Sequence, residues 1–212
     1  MSSFDACLSA LLERRDGRFI PPLFGAMEAA VLGASAGEGT PHRRLLEQSN
    51  GGYFFGGALH LFGACAEPSW HSLAAWNSDG AWRACYGELA RGLVFFAEDA
   101  FGDQFAYHGR GGEVVVFEAE LGRVQAIAPS FLDWIDALIE QPDAVLPMEQ
   151  VAAQPIQPGQ QLYAFPPLFA AEVDDRRCGC VDALEAMRSR GQLALQLHGL
   201  APGTQVQLSV EE

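Results

Sequence analysis

Glu98, Asp99 and Asp103 put three carboxyl groups on one short stretch, Phe95–Tyr107, that is otherwise aromatic, Ala and Gly. Clustered carboxyls can bind a cation, pass protons, cap a turn, or meet a basic partner. A calcium-type loop would add further oxygen ligands at close spacing, and the stretch lacks them. An acid/base pair would need a substrate-positioning motif beside it, and none is present. Two readings remain, and both can hold. Asp99 and Asp103 cap turns through side-chain-to-backbone hydrogen bonds, or the acids face a cationic protein. Glu118 and Glu120 extend the acidic set.

The other reactive residue types give weaker signals. His42, His60, His71, His108 and His198 form no H-x-H or H-x-x-x-H pair, so a zinc site is not expected. His60 lies inside an apolar run and reads as a satisfied core or sheet residue. Cys178 and Cys180 are one position closer than a C-x-x-C pair and lack a second half-site. Cys65 and Cys85 read as small buried hydrophobes. There is no G-x-S-x-G and no phosphate-cradling glycine loop with lysine. No catalytic residue, metal or cofactor is therefore expected. Trp70, Trp76 and Trp82 recur at intervals of six. Core packing accounts for them, and loop tryptophans can also anchor an interface. Trp70 and Trp76 are the candidate anchors.

Composition narrows the partner class. The net charge is −14 over 212 residues, and all 13 basic residues are arginine. Residues 51–140 hold 12 acids and 4 arginines, a net of −8. Such a field repels phosphate backbones and anionic membranes and attracts basic proteins. The arginine pairs 14–15, 43–44 and 176–177 are isolated, without a stacking platform, so nucleic-acid binding is disfavoured. No apolar run is long enough to span a bilayer, and no secretory signal opens the chain. Five cysteines at irregular spacing suit reduced thiols, and the expected location is the cytoplasm.

The elements that must position these groups follow from periodicity. Phe4, Leu8, Leu11 and Leu12 predict a helix over 3–15, ended by Asp16-Gly17. Pro21-Pro22 opens a segment in which Met27, Ala30 and Val31 face the core, and 33–41 is a loop. Thr40-Pro41 caps a helix through Gln48, and Asn50-Gly51-Gly52 stops it. Tyr53–Phe62 reads as strand with a glycine interruption. Trp70–Tyr86 reads as a loop and a short helical stretch. Strands follow at Leu93–Ala97, Gln104–Tyr107, Val114–Glu118 and Val124–Ile127. Ser130 caps a helix whose Phe131, Trp134, Ile135 and Leu138 face the sheet, with Pro142 closing it. Met148–Pro167 reads as an irregular connector and Val181–Arg190 as a helix ended by Gly191. Leu193, Leu195 and Leu197, then Val206, Leu208 and Val210, alternate like two strands around Pro202-Gly203.

The order of these pieces resembles the SUKH superfamily, which includes bacterial immunity proteins and a fungal regulator of cell-wall synthesis. The resemblance covers about residues 40–140. It rests on Ser49-Asn50-Gly51-Gly52-Tyr53, Leu59-His60-Leu61-Phe62, Phe96-Ala97, Phe101-Gly102-Asp103-Gln104-Phe105-Ala106-Tyr107, Val114–Glu120, and Ser130-Phe131 through Trp134-Ile135. It implies an α+β fold: a curved, mostly antiparallel sheet with flanking helices over residues 1–147, plus a small C-terminal α/β extension over 148–212 packed on it. It also implies a non-enzymatic protein-binding domain, an immunity protein that neutralises a cognate, basic toxin by stoichiometric binding. Its candidate contacts are Glu98, Asp99, Asp103, Glu118 and Glu120, with Trp70 and Trp76. A regulatory or scaffold module for a cellular protein, or a small-ligand binder, is the alternative.

Overall fold

The structure is a computed structural model describing residues 3–25, 40–109, 112–170, 176–201 and 203–206. The expected segment at Met27, Ala30 and Val31, most of the loop over 33–41, Pro202, and the strand positions Leu208 and Val210 lie outside the described residues.

Helix α1 spans Ser3–Leu12 and buries Leu8 and Leu11. Helix α2 spans Pro41–Ser49. The Thr40 side chain accepts from Arg43 N, Pro41 takes the first helical position, and Asn50 ends the helix with φ 48°. Asparagine adopts that left-handed conformation at lower cost than most residues. Strands β1 (Gly52–Phe54) and β2 (Leu59–Leu61) flank a short 3-10 turn at Phe55–Gly57. A one-turn helix α3 (Leu73–Trp76) and two 3-10 turns lead to β3 (Leu93–Asp99), β4 (Gln104–His108), β5 (Val114–Glu118) and β6 (Arg123–Ala128). These six strands form one sheet in sequence order, every neighbour antiparallel. Register shifts at Phe95–Ala97 and Val114–Val115 mark bulges, which bend a sheet.

The two sheet faces differ in chemistry. On the first, α4 (Phe131–Glu140) lays down Phe131, Trp134, Ile135 and Leu138, all buried. Phe96, Phe105, Tyr107 and His42 pack against Phe131 and Trp134 there, with α1 and α2 beside them. Ser130 caps α4 by accepting from Asp133 N. The helix stops at Pro142, which itself opens a short α5 (Pro142–Val145).

The second face carries Tyr53, His60, Glu98, Gln104 and Phe117, each the register partner of the next. Trp76, Trp82 and Tyr86 cover part of it. The rest lies under the C-terminal elements. The predicted irregular connector is in fact α6 (Met148–Ala153) followed by β7 (Gln160–Phe165), which pairs with β8 (Arg177–Asp182). Helix α7 then runs unbroken over Ala183–Leu197. Leu193, Leu195 and Leu197 are thus helical, not an alternating strand. Gly191 does not stop the helix, because it is where α7 meets the core most closely. A Cβ there would lie 2.8 Å from Cys85 Cβ and from the Tyr86 ring. Close packing outweighs the helix cost of glycine, about 1 kcal/mol. Val206 lies in no strand.

Candidate functional site

Side chains from four adjacent strands meet in one buried polar row on the second face. His60 is 2% exposed, His71 0% and Glu98 3%. His71 Nε2 lies 3.0 Å from the Asn50 carbonyl oxygen, which only accepts, so Nε2 carries the hydrogen. His71 Nδ1 faces His60 Nε2 at 3.0 Å, and His60 Nδ1 faces Glu98 Oε1 at 3.0 Å. Burial first, then the neighbouring His60, pushes His71 down to about 3, so it is neutral near pH 7. A neutral His71 accepts from His60 Nε2. One proton then lies between His60 Nδ1 and Glu98 Oε1. His71, His60 and Glu98 together hold three protons and no net charge, which is how a carboxyl and two imidazoles can share a dry interior.

The second oxygen of Glu98 accepts from Gln104 Nε2 at 3.0 Å and from Gln161 Nε2 at 2.7 Å. Trp76 Nε1 donates to Gln104 Oε1 at 2.8 Å, and Arg190 Nη1 donates to Gln161 Oε1. Tyr53 stacks on His60, with ring centroids 4.3 Å apart, and its hydroxyl accepts from Gly159 N. Trp70, half-buried, covers the row's open end against Phe19, Tyr53, His60 and His71.

This geometry corrects part of the expected contact set. Glu98 and Trp76 are interior residues engaged with each other through Gln104. Neither presents a face to a partner in this structure, because both are buried. Asp99 Oδ1 accepts from Phe101 N (2.8 Å) and Asp103 N (3.0 Å), which is the expected turn capping. Asp103 Oδ1 accepts from Ala119 N (2.8 Å) and so ties the β3–β4 turn to the β5–β6 turn. Burial, followed by the neighbouring Asp103 charge, holds the Asp99 carboxyl well above the usual range. Burial raises Asp103 to about 6 against the pull of Arg190. Glu120 Oε2 accepts from Phe169 N, fastening the chain after β7. Burial also raises its carboxyl.

Glu118 and Trp70 are half-buried and keep some exposed surface. They stand at β5 and beside β1–β2, about four strand spacings or roughly 19 Å apart. The seven expected contacts therefore do not form one site. Glu98 and Trp76 are buried, and Asp99, Asp103 and Glu120, half-buried like Glu118 and Trp70, accept backbone hydrogen bonds that hold turns and the chain after β7.

Residues 41–137 match the SMI1 / KNR4 family (SUKH-1). That segment belongs to the SUKH superfamily. The polar row, the six-stranded meander and α4 all fall in this SUKH segment or directly against it. A crystal structure of Atu4351 from Agrobacterium tumefaciens has the same fold, with a TM-score of 0.58 at 17% identity over 86% of this chain and 87% of that one. No curated protein sequence shows significant similarity to the chain.

An acidic surface that the contact set omitted begins at the end of the SUKH segment and continues past it. Asp133, Asp136 and Glu140 are exposed on one side of α4, and Asp143 on α5 and Glu149 on α6 are exposed after them. Spacings of three and four put the α4 acids on one helical stripe. Among the described residues, none of these five carboxylates is in an ion pair. Asp136 bonds the Cys7 thiol, which burial and that carboxylate push up to about 12. The signal was present in the sequence: residues 124–175 contain eight acids and no arginine, lysine or histidine. Among the described residues, no helix is long and apolar enough to cross a membrane.

Proposed function

We propose that this SUKH protein is a non-enzymatic, cytoplasmic protein-binding domain of bacterial immunity type, which neutralises a cognate toxin by stoichiometric binding. Family membership carries the reading. The net charge of −14 supports a basic toxin surface as the partner, since opposite fields speed encounter and suppress wrong partners. The stripe on α4 and α5 is the place to test first. Its acids are exposed and unneutralised, whereas Glu98, Asp99, Asp103 and Glu120 already serve the fold. Exposed carboxylates steer a partner without the desolvation cost that buried ones would impose.

The test is co-expression with toxin candidates encoded beside the gene. Immunity predicts that cells survive and that a complex of equal stoichiometry is recovered. The combined variant Asp136→Asn, Glu140→Gln, Asp143→Asn should associate more slowly and lose much of its salt dependence. Survival without a complex would remove the stoichiometric mechanism. Failure to protect, with binding to a housekeeping protein instead, would establish the regulatory reading.

A further inference from the structure

We propose that β7, β8 and α7 form a hinged cover on the second face. They leave the sheet together, before global unfolding, and uncover Tyr53, Glu98 and Gln104.

The cover is held by different chemistry from the rest of the core. Its buried apolar positions are Leu162 and Met187 with Ala164, Ala183, Ala186, Gly191 and Ala194. Helix α4, on the opposite face, buries two aromatics, an isoleucine and a leucine. Apolar area removed from water sets most of the cost of undocking, so small residues make a cheaper interface. What adds to it is polar. Gly159 N donates to Tyr53 Oη, Gln161 Nε2 to Glu98 and Leu162 N to Ala100 O, while Arg188 Nε donates to Ala81 O. Water can replace each of these bonds at small net cost.

The surface left behind tolerates exposure. Glu98 keeps His60 and Gln104 as partners, and Tyr53 keeps its stack on His60. Arg190 moves with the cover, since its Nη1 and Nη2 donate to Gln161 Oε1 and Leu162 O; opening gives up only its attraction to Asp99 and Asp103. It is 2% exposed, its Nε has no hydrogen-bond partner, and no carboxylate among the described residues is in an ion pair with it. Hydration on opening would satisfy that donor. A region with few large apolar contacts is where sub-global opening is expected.

Native-state hydrogen exchange on the full chain tests this. In the wild type, Leu162 and the amides of Ala186–Ala194 should exchange together, faster than those of β3, β4 and α4. Gln161→Ala should raise exchange in the cover about tenfold, the worth of one buried hydrogen bond, with α4 within about twofold. Arg188→Ala, at an exposed position, should raise it about threefold in the cover alone. Equal protection of the cover, β3 and α4 in the wild type would overturn the proposal. So would a uniform rise across all elements in either variant.

Discussion

Replacing Asp103 with asparagine should stabilise the protein near neutral pH. Burial lifts the Asp103 carboxyl from 3.8 to about 6, net of the favourable Ala119 N–H and the attraction of Arg190. A group whose folded value is raised is destabilising when ionised. The unfolded chain gives up the proton first, so stability falls as pH rises from about 4 to about 6. The gap of about two pH units is worth about 3 kcal/mol once both states are ionised. Asparagine keeps an oxygen for Ala119 N, which Asp103 Oδ1 accepts at 2.8 Å, and removes the charge. It also removes the repulsion that helps to raise Asp99. Urea unfolding of both proteins at several pH values measures the difference. The variant should be more stable at pH 7.5, by up to about 3 kcal/mol. Its advantage should grow by about 1 kcal/mol between pH 5 and pH 7.5. A variant less stable at pH 7.5, or an advantage that does not change with pH, would refute the reasoning. Partner binding should be unaffected, since Asp103 serves the turn.

Two further substitutions probe the polar row. Glu98→Ala leaves His60 Nδ1 and two amide donors without their acceptor, and should cost about 3–5 kcal/mol by urea unfolding. A loss under 1 kcal/mol would mean that water or a rearranged glutamine takes over. Gly63→Ala would put a methyl against His71 Nε2 and the Asn50 carbonyl oxygen, displacing the bond between them. Thermal unfolding should register a loss of about 1–3 kcal/mol, the cost of an unsatisfied buried group, and an unchanged melting temperature would show that the loop gives way freely.

Local structure was legible because its causes are local. Thr40-Pro41, Asn50-Gly51 and Ser130 each act on backbone groups within four residues, and each does in the fold what its type predicts. Strands β3–β6 were readable from alternation and turns, whereas Tyr53–Phe62, read as one interrupted strand, is the β1–β2 pair; the order of the pieces carried the family. The same reasoning placed Asp99 at a turn. It failed at the C-terminus, where β7 and α7 form because they have a sheet face to lie on. Gly191 reads as a helix stop until Cys85 and Tyr86 are set against it.

The site divides along the same line. The order of the sequence motifs carried the resemblance to the SUKH superfamily and with it the α+β fold, and residue types gave the acidic charge. They also held, unread, the base-free run that becomes the α4 stripe. Whether a given carboxylate faces solvent or interior was decided only by the tertiary structure. Glu98 and Asp99 are adjacent in sequence, yet one bonds Gln161, 63 residues away, and the other caps its own turn. Strand register fixes that choice: adjacent residues point to opposite faces, and what covers each face comes from remote parts of the chain.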